Sequence, residues 1–282
     1  MSVLLLPPHL HGFSNMLRSR TKLRWVLAAI CILSTGAAAA QRRLDVPYVP
    51  TPMDVVERML DLAEIKAQDF VIDLGSGDGR IPITAAKKYG ARSLGIDLNP
   101  TRIAESQANL ARENLGDKVE FREANLFQTD ISKADILTMY LLPAVNLQLK
   151  PRILAELRPG TRVVSHAFDM GRWVPDHQET VSSRKVMLWI VPAKVEGRWR
   201  VRDGSGTYTL TLEQQFQQVN GAAEIDGKKV AVTSGRLRGK EIELTFDLGP
   251  AGRRGLKGIV EGDTIRPAGH EDPFEAVRAR SD

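Results

Sequence analysis

The chain has 282 residues, 43% of them hydrophobic and 26% charged, proportions that exclude wholesale disorder, a collagen repeat and a multispanning membrane protein. Its formal charge of +5 does not mark a polyanion-binding surface: four basic residues fall in the first 40 positions, and from Gln41 onward 35 basic residues face 34 acidic ones. No nucleic-acid partner is expected, and the length suits two modest domains better than one large one.

Arg18, Arg20, Lys22 and Arg24 precede an apolar run, Trp25 to Leu33, and then the small residues Gly36 to Ala40. Basic, apolar, small is the order of a secretory signal peptide, and cleavage after Ala40 satisfies the small-x-small rule through Ala38 and Ala40. The apolar run is shorter than the roughly 20 residues that span a bilayer, so membrane contact is expected only through this signal or anchor. The expected destination is the periplasm or the envelope, with a mitochondrial transit peptide as the alternative. Cys31, the single cysteine, lies inside the apolar run, so disulfides and thiol chemistry are not expected in the mature chain.

From Pro47 to about Pro192 short apolar strands alternate with amphipathic helices, the pattern of βαβ units around a parallel sheet. Strands are predicted at 69–74, 92–97, 118–123, 134–140 and 161–166, and helices near 52–66, 80–89, 100–115 and 144–157. Thr51 is a plausible cap for the first helix, Pro52 suits its first turn, and Asp54 and Glu57 favour that end of its dipole. After Trp173 the helical period disappears, and a hairpin of Glu179 to Ser182 with Lys185 to Val191 finishes the sheet with an antiparallel strand. Beyond Ala193 come short strands such as GTYTLTLEQQF and KEIELTFDL, separated by Gly-rich and Asp-Gly turns, which predict a small antiparallel sheet or partial barrel with Trp199 in its core. The expected organisation is a signal peptide at 1–40, an α/β domain at 41–192 and an antiparallel β domain at 193–282.

VIDLGSGDGR, Val71 to Arg80, is the informative segment: a buried strand, an acid near its end, glycines at 75, 77 and 79, then a helix. Glycines permit a tight turn and close backbone approach, and a helix N-terminus offers free N–H groups to a ligand. A second strand ends in Asp97, placed to accept hydrogen bonds from two ribose hydroxyls. A dinucleotide fingerprint starting at Gly75 would need a small residue where Arg80 stands, which counts against NAD.

The run D-x-G-x-G-x-G led by Asp73 instead resembles the first motif of class I S-adenosylmethionine-dependent methyltransferases, and Asp97 resembles their ribose-binding acid. The resemblance implies that Asp73, Gly75, Gly77, Gly79 and Asp97 bind S-adenosyl-L-methionine, with Asp73 near the methionine amino group. Asn125 stands where the pattern usually has an acid accepting from the adenine amine; its side-chain oxygen can still accept. VPYVPTP (Val46 to Pro52), TMYLLP (Thr138 to Pro143) and VVSHAFDMGRW (Val163 to Trp173) narrow the likeness. They resemble the lysine N-methyltransferases of the mitochondrial ATP synthase c-subunit, and their exported bacterial relatives, over 46–175. That family implies an α/β fold, a doubly wound seven-stranded Rossmann-like sheet, and a protein lysine as acceptor.

Methyl transfer from a sulfonium is an in-line displacement, so the enzyme mainly aligns the acceptor and disperses charge. No metal is expected, since His, Cys and carboxylates lack ligand spacing. Tyr140, at the carboxyl end of the fourth strand, is the expected residue orienting the amine, and His166 the expected proton acceptor if one is needed. Phe168 and Trp173 are expected to wall an apolar, cation-tolerant pocket, Tyr48 is expected with them on the substrate side, and Tyr48 and Thr51 are expected to fold over the cofactor as a lid. The alternative from another class is an exported binding module that keeps the cofactor fold without turnover.

Overall fold

The computed structural model describes residues 48–204, 206–269 and 273–279, so the expected signal peptide lies outside the described residues. Helices and parallel strands follow in the order α1 (Met53–Leu62), β1 (Phe70–Leu74), α2 (Arg80–Tyr89), β2 (Arg92–Asp97), α3 (Pro100–Glu113), β3 (Val119–Glu123), β4 (Ile136–Met139), α4 (Pro143–Glu156) and β5 (Arg162–His166), with no helix between β3 and β4. The hairpin β6 (His177–Val181) and β7 (Arg184–Ile190) completes a seven-stranded sheet in the order β3-β2-β1-β4-β5-β7-β6, with β7 antiparallel to β5. This is the doubly wound sheet expected from the sequence, with its antiparallel finish.

Alternation along the strands sorts side chains onto two faces. Ile72, Leu74, Leu137, Val163 and Trp189 share a core with Leu149 and Ile153 of α4 on one face. Val71, Ile136, Val164 and Leu188 meet Val55, Val56 and Met59 of α1 and Ile81 of α2 on the other. With both faces covered, the central strands read as near-continuous apolar runs. Each fully buried Leu, Ile or Val contributes about 1.5–3 kcal/mol. β1 lies between β2 and β4, so the winding reverses beside it and opens a crevice at the carboxyl ends of the strands.

From Gly197 onward the strands are antiparallel: β8 (Gly197–Asp203), β9 (Gly206–Gln215), β10 (Gln218–Ile225), β11 (Lys228–Arg238), β12 (Glu241–Asp247), β13 (Arg253–Glu261), β14 (Thr264–Pro267) and β15 (Phe274–Arg278). They close in the order β10-β11-β12-β13-β14-β15-β8-β9, a complete barrel where a sheet or partial barrel was expected. Closure removes exposed strand edges. Trp199, Val201, Leu210, Leu212, Leu244 and Phe246 alternate into its core. Sheet and barrel belong to one compact unit, Val46–Asp282, in which Ala193 N donates to Gly239 O at 2.8 Å and Phe216 packs against the α4-side core. Among the described residues no helix is long and apolar enough to cross a membrane.

Candidate active site

Gly75, Gly77 and Gly79 all take left-handed φ, at +79°, +53° and +81°. Gly77 is the most constrained, because a Cβ there would collide with the Tyr48 ring. The turn is pinned to the second strand: Gly75 N and Ser76 N donate to Ile96 O at 2.8 and 2.9 Å, and Gly77 N donates to Asp97 Oδ2 at 2.9 Å. Asn99 N donates to Asp97 Oδ1 at 2.8 Å. Each half-buried carboxylate oxygen of Asp97 therefore keeps lone-pair capacity for one further donor.

Asp73 is buried at the end of β1, and Thr138 Oγ1 of the neighbouring strand donates to its Oδ1 at 2.7 Å. Burial is the largest influence on this carboxyl and pushes its pKa up to about 7; the Thr138 hydrogen bond opposes it, and Asp97 and Asp78 add to the rise. Asn125 follows β3 and accepts from Phe127 N at 2.9 Å, forming a turn at the strand end. Its oxygen keeps a lone pair for an amine donor.

On the acceptor side, Tyr140 directly follows β4 and its ring centroid lies 3.9 Å from that of His166 and 6.2 Å from that of Phe168, nearly parallel to the latter at 18°. His166 ends β5 and is buried; its Nδ1 lies 3.1 Å from Thr51 Oγ1. Burial, and secondarily the Arg184 charge, lowers its pKa to about 4, so the ring is neutral near pH 7. Alternation sends Ser165 to the opposite face, where its Oγ donates to Phe168 O at 2.7 Å. Phe168 N donates to His166 O at 2.9 Å across Ala167, whose φ is +66°, a strained γ-turn that swings Phe168 toward Tyr140.

Trp173 does not join these rings, contrary to the sequence expectation. A bridge between Met170 and Trp173 turns the chain back, and the Trp173 ring lies fully buried between Trp189 and Phe216, with centroids 6.1 Å away in both cases. Tyr48, also expected on the substrate side, lies over the glycine turn: its hydroxyl accepts from Asp78 N at 3.3 Å and Arg102 stacks 4.7 Å from its ring. That position sets the ring against the glycine turn and not beside Tyr140, His166 and Phe168. Thr51 is not a cap, because its hydroxyl is engaged with His166; Pro52 holds the N-cap position of α1, which has no side-chain cap hydrogen bond.

Two contributors escaped sequence reasoning. Arg80 braces the turn by a two-pronged contact with Asp78, with Nε–Oδ1 at 3.0 Å and Nη2–Oδ2 at 2.6 Å, and its Nη1 donates to Thr51 O at 2.8 Å. Buried Asn146 of α4 donates to Phe168 O at 3.1 Å. The only sequence signals were an arginine departing from the dinucleotide pattern and a polar residue on an apolar helix face.

Residues 73–177 match the family model of the ANTKMT methyltransferase domain. A protein-lysine N-methyltransferase of Saccharolobus islandicus (strain REY15A) is 48% identical over 131 residues, which cover 46% of this chain and 81% of that protein. The chain belongs to this methyltransferase family. The ATP synthase c-subunit lysine N-methyltransferase of Xenopus laevis is 32% identical over 152 residues, 54% of this chain and 66% of that protein, so the chain spans just under two thirds of this relative. The crystal structure of an RNA methyltransferase from Salinibacter ruber in complex with S-adenosyl-L-homocysteine shares 48% identity at a TM-score of 0.51, covering 52% of this chain and 96% of that one.

The cofactor of this methyltransferase is S-adenosylmethionine, and the residues present suit it. The glycine turn leaves no Cβ in the way of a ligand, Asp97 has capacity for two hydroxyl donors, and the buried Asp73 carboxyl would gain from a cationic amino group. Among the described residues no group of three or more His, Cys, Asp or Glu is placed to hold a metal ion.

Proposed function

We propose that this methyltransferase modifies the ε-amine of a protein lysine. One observation carries the reading: the rings of Tyr140, His166 and Phe168 cluster at the carboxyl ends of β4 and β5, on the side of the sheet where the glycine turn follows β1. The lysine N-methyltransferases to which the chain is similar support the same acceptor class. Bound S-adenosylmethionine supplies a methyl group activated on a sulfonium.

A lysine arrives as an ammonium, which aromatic faces attract. Desolvation beside these rings lowers its pKa and releases the proton to water. The neutral amine is then oriented by Tyr140 and by His166 Nε2, which is an acceptor when Nδ1–H is donated to Thr51 Oγ1. His166 is a poor proton store, since burial holds its pKa near about 4. Orientation of the amine therefore replaces the proton-accepting role expected from the sequence.

Incubating the chain from Gln41 with methyl-labelled S-adenosylmethionine and fractionated envelope extract tests the proposal. Label recovered as methyl-lysine in protein hydrolysates is expected. Label confined to RNA, or absent from every fraction, would overturn it.

We further propose that the protein is exported, supported by the basic, apolar and small segments from Arg18 to Ala40. N-terminal sequencing of envelope material should find Gln41 first; an intact N-terminus in the cytoplasm would refute export.

A further inference from the structure

The β9–β10 turn consists of two residues, Phe216 and Gln217, since Gln215 pairs directly with Gln218. Two-residue hairpin turns need left-handed φ and normally carry Gly, Asn or Asp. Phe216 adopts φ +56° instead, a crowded region for a bulky side chain. Its ring explains the exception: it stacks on Trp173 with planes 16° apart, and Lys150 Nζ of α4 lies 5.5 Å from its centroid. Gln217 is buried and donates Nε2 to Val174 O at 2.6 Å. Arg236 of β11 pairs with Asp176 at 3.0 Å.

Three barrel side chains thus grip the β5–β6 connection, residues 167–176. Its first half carries Phe168 behind the strained Ala167 and is tied to α4, with Asn146 Nδ2 donating to Phe168 O and Lys150 Nζ donating to Met170 O at 3.0 Å. Strained backbone persists only where its surroundings over-determine it. Here α4 holds one half of the connection, and the other is held by the barrel together with β7, where Trp189 Nε1 donates to Trp173 O at 2.7 Å and Ile190 N donates to Asp176 Oδ2 at 2.8 Å. The cofactor side takes its hydrogen bonds from Ile96, Asp97, Tyr48 and Thr138, none of them barrel residues.

We propose that the barrel is a positioning module for the acceptor side, in which Phe216 and Gln217 hold the 167–176 connection so that Phe168 stays against Tyr140. This rests on the proposed acceptor site for its catalytic consequence; the mechanical coupling does not depend on which acceptor is used. Positioning residues of this kind act on acceptor turnover and leave cofactor affinity alone.

The test uses the full chain as wild type, Phe216→Gly and Phe216→Tyr. Glycine relieves the left-handed strain, so this variant removes the ring without penalising the turn. Backbone hydrogen exchange across 167–176 should accelerate about tenfold in Phe216→Gly, while exchange at the glycine turn stays as in wild type. Affinity for S-adenosyl-L-homocysteine should stay within about twofold, and kcat on the acceptor found by methyl labelling should fall about tenfold, with tyrosine restoring both exchange and kcat. Wild-type exchange in Phe216→Gly overturns the coupling whatever the acceptor is, and accelerated exchange with unchanged kcat and KM overturns its catalytic use. A wild-type chain that labels no lysine refutes the proposed acceptor, while accelerated exchange in Phe216→Gly would still uphold the coupling.

Discussion

Thr51 and His166, 115 residues apart in the chain, meet at 3.1 Å between Thr51 Oγ1 and His166 Nδ1. The carbonyl of the same threonine accepts from Arg80, which also clasps Asp78 between Gly77 and Gly79. A single residue ahead of α1 therefore ties the cofactor turn to the imidazole of the acceptor side. The link sets the ring's orientation and, with Nδ1–H as donor, leaves Nε2 free to receive a hydrogen bond.

Thr51→Val keeps the side-chain shape and removes the hydroxyl. The expected result is a fall in kcat of about three- to tenfold, the worth of one ordinary hydrogen bond, with cofactor affinity nearly unchanged. Thr51→Ser should restore most of the loss. Steady-state kinetics beside calorimetry would decide it, and a valine variant with wild-type kcat would remove His166 orientation from the mechanism.

Gly77→Val and Asp97→Ala attack the cofactor turn from two sides. The valine meets the Tyr48 ring and is strained at φ +53°. The alanine removes the acceptor for Gly77 N and Asn99 N as well as the expected ribose contacts. Each change should weaken binding of S-adenosyl-L-homocysteine by at least about tenfold. Wild-type affinity in either variant, measured by calorimetry, would contradict the cofactor placement.

Tyr140→Ala removes the ring that packs, tilted, on His166 and stacks with Phe168. Turnover should fall by about ten- to a thousandfold with cofactor affinity nearly intact, the signature of a contact used in the transition state. Equal losses in both quantities would show instead that the ring supports the cofactor site.

The sheet was legible because its signals are local: alternation, glycine spacing and the acids closing β1 and β2 lie within a few residues of one another. Barrel closure was not, since pairing β15 with β8 joins segments far apart in sequence, and alternation identifies strands without their partners. Trp173 looked like a pocket wall beside Phe168, but its burial is decided by Trp189 and Phe216, which no local pattern announces. Thr51 before a proline has the chemistry of a helix cap, and tertiary structure gave its hydroxyl to His166. Arg80 read only as a departure from the dinucleotide motif until its contacts with Asp78 and Thr51 were visible.

Asp73 makes cofactor binding pH-dependent. Burial raises its pKa from 3.8 to about 7, so near neutrality the cofactor-free protein carries this carboxyl partly protonated. A cationic amino group beside it favours the carboxylate, so binding lowers the pKa and releases a proton. Affinity should therefore be level above about pH 7 and fall below it, approaching tenfold per pH unit. The stability consequence has a definite sign: the folded pKa is raised, so the stabilisation is full below the unfolded value of 3.8 and is lost as pH rises through about 7. His166 acts oppositely, because its pKa is lowered from 6.5 to about 4; its stabilisation is present above 6.5 and is lost as pH falls through about 4. The wild-type melting curve superposes the two, and Asp73→Asn separates them. The cofactor-free asparagine variant should gain melting temperature relative to wild type progressively from about pH 4 to about pH 7. It should also bind S-adenosyl-L-homocysteine more weakly and without the acidic fall in affinity. Calorimetric titration of both proteins from about pH 5 to about pH 8 measures that difference, and a wild-type affinity that does not change across the range would show that Asp73 is not the partner of a cationic group.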